Sequence, residues 1–320
     1  MQSFYEPISP QLWERHCLRN DAGYIGMMML ALEGTMFVLG ILFQFVVRVF
    51  SPDLPSFLLI YAGIYATGMS LPAVVISLIT KRRHFPLSPS RSMRPSDAFF
   101  GILAAVGICM TANIAVNYIL LFFESVGVPE PEMPDYLQPT PTSLLINLFV
   151  FAVLPSLLEE LVFRGYVLRA LRPYGDWFAV IVSALLFGLM HGNIAQIPFA
   201  LIVGIALGWL YVMTDNIWIP VAVHLINNGF SLLLQYCTIG MDNTEVGMVN
   251  GFVILTLIVI GALCLAMLVV RRSALLRRLK RKSSLSVGAR TGVLLSSPQF
   301  VLCLVAFTVL TIADVIGSMG

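Results

Sequence analysis

The chain has 320 residues, 58% of them hydrophobic and only 11% charged, and its 19 Lys and Arg against 17 Asp and Glu leave a net charge of +2. A soluble globular domain carries about 25% charged residues, so this composition, with a mean hydropathy of +0.89, excludes that class and points to a membrane protein. The five cysteines (Cys17, Cys109, Cys237, Cys264, Cys303) are scattered, mostly in apolar runs and with no CxxC pair, so they read as small hydrophobes and not as disulfides or thiolate metal ligands.

Residues 1–23 are mixed polar, with Trp13, Arg15, His16 and Arg19, and read as a cytoplasmic juxtamembrane lead-in. The first apolar run, from near Tyr24 past Val47, is too long for the apolar region of a cleavable signal peptide. Further runs approach or exceed the roughly 20 residues that cross a bilayer. The expected spans are Tyr24–Val47, Leu58–Thr80, Ala98–Phe123, Ser143–Leu171, Trp177–His191, Ile197–Met213, Ile217–Tyr236, Phe252–Val270 and Phe300–Ser318. The fourth is long and is expected to break or tilt near Pro155. The fold expected is thus all-α, a polytopic membrane bundle of about nine transmembrane helices. It divides into N-terminal helices over residues 24–142, a core over 143–236, and C-terminal helices over 237–320 with a basic cytoplasmic loop at 271–298.

Loop charges orient the bundle. Lys81, Arg82, Arg83, Arg91 and Arg94 crowd the second connection, and Arg169 and Arg172 follow the fourth span. Arg271, Arg272, Arg277, Arg278, Lys280, Arg281, Lys282 and Arg290 fill the eighth without one acid. The third holds Glu124, Glu130, Glu132 and Asp135 and the seventh Asp242 and Glu245, both without a base. Basic even-numbered connections place the N-terminus in the cytoplasm, of the plasma membrane by expectation. The basic 271–290 segment reads as such a topogenic loop, with no nucleic-acid partner. The chain shows no P-loop, nucleotide-binding glycine fingerprint or internal repeat.

Chemistry concentrates in the stretch PSLLEELVFRGYVLRALR, residues 155–172. Ionisable groups at membrane depth are expensive and face a bundle interior or a water-filled cavity. Glu160 and Arg164, four apart with the acid first, suit an ion pair along one helix face, a structural role. Glu159 lies about 100° round the helix without such a partner. It suits a general base, or else a hydrogen bond to a neighbouring helix. At 1.5 Å per residue Glu159 and His191 lie roughly 18 and 21 Å from the cytoplasmic ends of their helices, and His224 and Asn228 roughly 10 and 16 Å. All four therefore meet at mid-membrane if these helices pack. Phe187, one turn before His191, can wall the site, and the Gly188/Gly192 and Gly204/Gly208 pairs allow close helix approach. The chain has neither GxSxG nor HExxH. Two chemistries remain open: zinc held by Glu159, His191 and His224, or metal-free hydrolysis by Glu-activated water with His224 and Asn228 as oxyanion donors. Glu33, Asn113, Asn117, Asn147 and Asp314 are further polar residues in apolar runs without a motif.

Glu159-Glu160-Leu-Val-Phe-Arg164 resembles the EExxxR signature of the CAAX prenyl endopeptidase and bacteriocin-processing family, the CPBP or Abi proteins. Phe187-Gly-Leu-Met-His191 is similar to its FxxxH motif and His224-Leu-Ile-Asn-Asn228 to its HxxxN motif, in the family's order, over about residues 143–236. The resemblance implies an all-helical intramembrane endopeptidase acting on a peptide at the membrane, lipidated or not. Glu159 and His191 would activate water, His224 and Asn228 would stabilise the oxyanion, and Glu160 and Arg164 would hold the site together. Two other classes fit the same fold. A non-catalytic scaffold or bacteriocin-immunity factor would be favoured by loss of a motif residue, and none is lost. A small-solute transporter would be favoured by internal repeats, and none is visible.

Overall fold

A computed structural model describes residues 9–80, 94–125, 137–194, 196–271 and 283–319, and among these the chain is helical with no strand. The helices are α1 (Pro10–Phe50), α2 (Leu54–Thr80), α3 (Pro95–Ser125), α4 (Pro141–Tyr174), α5 (Asp176–Met190), α6 (Gln196–Thr214), α7 (Trp218–Cys237), α8 (Asn243–Val270), α9 (Val287–Leu295) and α10 (Pro298–Met319). Each of the nine expected spans falls within one of them but for His191, one residue past the end of α5, and Ile217, one residue before the start of α7. Lys81, Arg82, Arg83, Arg91, Glu130, Glu132, Asp135, Arg272, Arg277, Arg278, Lys280, Arg281 and Lys282, on which the orientation rests, lie outside the described residues.

Two expectations change. Among the described residues seven helices are long and apolar enough to cross a membrane, so the count of about nine is not confirmed. The two that fall short are α5 and α7. The 15 residues of α5 reach only about 22 Å at 1.5 Å per residue, against a hydrocarbon core of about 30 Å. In α7, His224, Asn227, Asn228 and Gln235 dilute the apolar sequence. These are also the helices that carry His191 at their end or His224 and Asn228 within them. The expected lead-in, moreover, is largely part of a helix. Ser9 caps α1 by accepting from the Leu12 N–H, and Leu18, Ala22, Ile25, Met29 and Leu32 form a buried stripe at helical spacing. That stripe packs on α9 and α10, so closely that a Cβ on Gly26 would meet the Gln299 backbone at 2.4 Å.

The central helix is α4. It packs on α2, α5 and α7, while α6 lies between α5 and α3. α1 pairs with α2 and α10 on one flank, and α3 with α8 on the other. One apolar cluster joins α1, α2, α4, α5, α6 and α10, and a second joins α3, α6, α7 and α8. α4 is not uniform. It widens into π-helical turns at Phe149–Val153 and again at Leu161–Leu168, on either side of the α-helical Leu154–Glu160. The first widening abuts Pro155, which has no N–H for the Phe151 carbonyl four residues back and crowds it with its ring. Such wide turns concentrate at functional sites, and the second begins directly after Glu160.

Candidate active site

Pro155 leaves the Phe151 carbonyl without its α-helical donor, and Asn228 of α7 donates to that oxygen from Nδ2 at 3.2 Å. One turn earlier on α7, His224 meets the two glutamates of α4. Glu160 and Arg164 are fully buried, Glu159 is 7% exposed and His224 5%. The Arg164 guanidinium donates to Glu160 Oε1 at 2.7 Å and to the Gly204 carbonyl of α6 at 3.1 Å. The same Glu160 oxygen lies 2.9 Å from His224 Nδ1. Toward a carboxylate Nδ1 donates, so Glu160 orients the imidazole and turns its other nitrogen, Nε2, to Glu159, 3.9 Å from Oε2. The remaining oxygen of Glu159, Oε1, accepts from the Tyr65 hydroxyl of α2 at 2.5 Å.

Phe187 is the wall around which these groups are set. Arg164 Cζ lies 4.6 Å from its ring centroid, a cation–π contact. The rings of Phe163, His191 and His224 stand edge-on to it at 5.1, 5.1 and 6.1 Å. His191 sits just past the end of α5, followed by Gly192, whose φ of 64° only glycine adopts without strain. Its Nδ1 is 2.8 Å from the Phe187 carbonyl, and because a carbonyl only accepts, Nδ1 carries the proton and Nε2 is the lone-pair nitrogen in the neutral ring. Close approach of α5 and α6 holds this wall. A Cβ on Gly204 would lie 3.1 Å from Ala184 and 3.2 Å from Phe187 Cδ1.

The expected ion pair Glu160–Arg164 is present, and Glu159, His224 and Phe187 converge. His191 shares the Phe187 ring with them but makes no hydrogen bond or ion pair with Glu159. Asn228, expected as an oxyanion donor, has its amide partly engaged. One N–H goes to Phe151, its oxygen accepts from Asn227, and a second N–H is left. For the zinc alternative, among the described residues no three His, Cys, Asp or Glu side chains form a set that could hold a metal. Tyr65 was not marked by the sequence, being one tyrosine in an apolar run 94 positions before Glu159. Only its hydroxyl, which must find a partner when buried, hinted at a role. Asn147 and Asp314 find partners elsewhere, in Ser143 and Tyr236 and in Asn193.

The sequence model of the family described as type II CAAX prenyl endopeptidase Rce1-like matches residues 141–230, from the start of α4 into α7. Among curated proteins, the chain is 28% identical over 102 residues to "Putative membrane peptidase YdiL" of Bacillus subtilis (strain 168), covering 32% of this chain and 40% of that protein. It is 31% identical over 97 residues to "Membrane-embedded CAAX protease MroQ" of Staphylococcus aureus (strain USA300), covering 28% of this chain and 39% of that protein. The chain thus matches about two-fifths of the length of these relatives. No solved structure matches it. The side chains gathered around Phe187, Tyr65 apart, all come from the stretch that the family's model matches, and over that stretch the chain is similar to CAAX-protease-like membrane peptidases.

Proposed function

We propose that this protein is an intramembrane endopeptidase that cleaves a membrane-associated peptide, a prenylated CAAX-type C-terminus being the substrate class, with water activated by Glu159. The observation that carries the reading is the gap between Glu159 Oε2 and His224 Nε2. At 3.9 Å it is too long for a direct hydrogen bond and within the span of one bridging water oxygen. A carboxylate oxygen with no other partner thus faces an imidazole already oriented from behind.

In the proposed reaction Glu159 Oε2, assisted by His191 Nε2, takes a proton from water as the water oxygen bonds to the scissile carbonyl carbon. The carbonyl oxygen becomes an oxyanion. With Nδ1 committed to Glu160, His224 donates to it from Nε2 as the imidazolium, and Asn228 donates its second N–H. The proton held by Glu159 then passes to the departing amine, the C–N bond breaks, and a carboxylic acid and an amine leave, the acid giving its proton to the amine or to water on release. General-base assistance of this kind contributes about 10²–10⁴-fold, and fixed donors aimed at an oxyanion contribute most where water is excluded. Glu160 and Arg164 touch no substrate in this scheme. They neutralise each other and hold the imidazole. The loop charges support an orientation with the N-terminus in the cytoplasm.

The test compares membrane and secreted peptides from cells carrying the wild type or Glu159→Gln at equal expression. Peptide termini that depend on Glu159 are expected and would name the substrate. Unchanged peptides, with the wild-type phenotype still complemented by the variant, would favour a non-catalytic scaffold.

A further inference from the structure

We propose that Tyr65 is a positioning residue of this site, holding Glu159 so that Oε2 and no other oxygen faces the reaction space. The inference rests on the hydrolase reading. The two neighbouring glutamates of α4 are held in chemically different ways. Glu160 is held by the Arg164 guanidinium and the His224 imidazole, both on Oε1. Glu159 is held on Oε1 by a neutral phenol, at 2.5 Å. A neutral donor fixes its rotation and leaves its charge in place. Without that bond the carboxylate can rotate about its terminal torsion, which is broad and two-fold, and no single oxygen stays aimed at His224 Nε2.

Tyr65 is itself fixed. Its ring stacks on Tyr61 at 6.2 Å and 23°, and Tyr61 in turn contacts Phe151 of α4 and Phe43 of α1. Phe151 is the residue whose carbonyl holds Asn228. One aromatic group thus connects the seat of Glu159 with the seat of Asn228, and it draws on α1 and α2, outside the stretch 141–230 that matches the family. The flanking helices therefore supply a part of the site, and their contribution is a hydroxyl.

The experiment measures cleavage of an internally quenched peptide ending in a farnesylated Cys-aliphatic-aliphatic-X box by full-length wild type, Tyr65→Phe and Glu159→Gln in detergent micelles. Infrared spectra of the carboxylate stretch are recorded alongside. Phe keeps the ring stack and removes only the hydroxyl. The expected result is a fall in kcat on the order of tenfold to a hundredfold for Tyr65→Phe, with KM within about twofold and an unchanged melting temperature. The carboxylate band that disappears in Glu159→Gln should also shift in Tyr65→Phe. Wild-type kcat in Tyr65→Phe while Glu159→Gln is inactive would overturn the role of Tyr65 and leave the hydrolase reading standing. An unshifted band would do the same by removing the bond. Equal cleavage by wild type and Glu159→Gln, or none by either, would overturn the hydrolase reading and this role with it.

Discussion

Arg164 and Arg172 sit about two turns apart on α4, both buried, each at the centre of an ion cluster, and the two clusters are built to different ends. Arg172 is closed. It donates from Nε to Asp176 at 3.0 Å, from Nη1 to Asp215 at 2.5 Å and from Nη2 to the Val212 carbonyl at 3.2 Å, and so ties together the end of α4, the start of α5 and the end of α6. Arg164 is open. Its Nε has no partner, nor has Glu160 Oε2, and Glu159 Oε2 stops 3.9 Å short of His224. Buried polar atoms in a structural cluster find partners, because each one left unmet costs about 1–3 kcal/mol. The unmet groups around Arg164, at the proposed site, set it apart from the clasp around Arg172, where all three nitrogens of the guanidinium are engaged.

The comparison can be broken at four points. The largest effect is expected from Glu159→Gln, which removes the base while keeping its shape. Turnover should fall by about 10²–10⁴-fold with an unchanged yield of folded protein, read as product per folded molecule. Next come the two arginines. Arg164→Ala takes the guanidinium from the fully buried Glu160, and Arg172→Ala takes it from the buried Asp176, each at about 3–5 kcal/mol. Both should lower the melting temperature in detergent, but the Arg172 variant that still folds should keep its turnover per molecule, whereas the Arg164 variant should lose it. Similar turnover in the two would erase the distinction. Gly204→Ala forces a methyl to 3.1 Å from Ala184 and 3.2 Å from Phe187, an overpacking worth about 1–3 kcal/mol. Because it presses on the wall between the two histidines, its activity loss should exceed what its stability loss explains. Ser183→Ala is the smallest. It removes the bond to the Phe163 carbonyl in the second wide turn, about 1 kcal/mol, without touching turnover.

Much of this was legible from residue types and spacing. The Glu160–Arg164 pair followed from i, i+4 geometry, and of the four groups expected to meet by matched depth (Glu159, His191, His224 and Asn228), Glu159 and His224 face each other, His191 shares only the Phe187 ring and Asn228 bonds the Phe151 carbonyl. What escaped has physical causes. The wide turns of α4 have no periodic signature, since a π turn breaks the 3.6 repeat for a single turn only. The bond from Asn228 to the Phe151 carbonyl escaped because nothing in its own segment shows that Pro155 opens a carbonyl on another helix. The start of α1 hid behind Arg15, His16 and Arg19, whose charge interrupts the apolar run although the buried stripe from Leu18 to Leu32 continues the helix. Tyr65 escaped because its partner is a tertiary contact.

The most direct test of the open and closed clusters sets Glu159→Gln beside Asp215→Asn, measuring folded yield and turnover per folded molecule in the same membranes. The account predicts that Glu159→Gln is fully folded and inactive, and that Asp215→Asn is recovered in lower amount with each folded molecule as active as wild type. Parallel losses of fold and activity in both variants, or full turnover by Glu159→Gln, would contradict it.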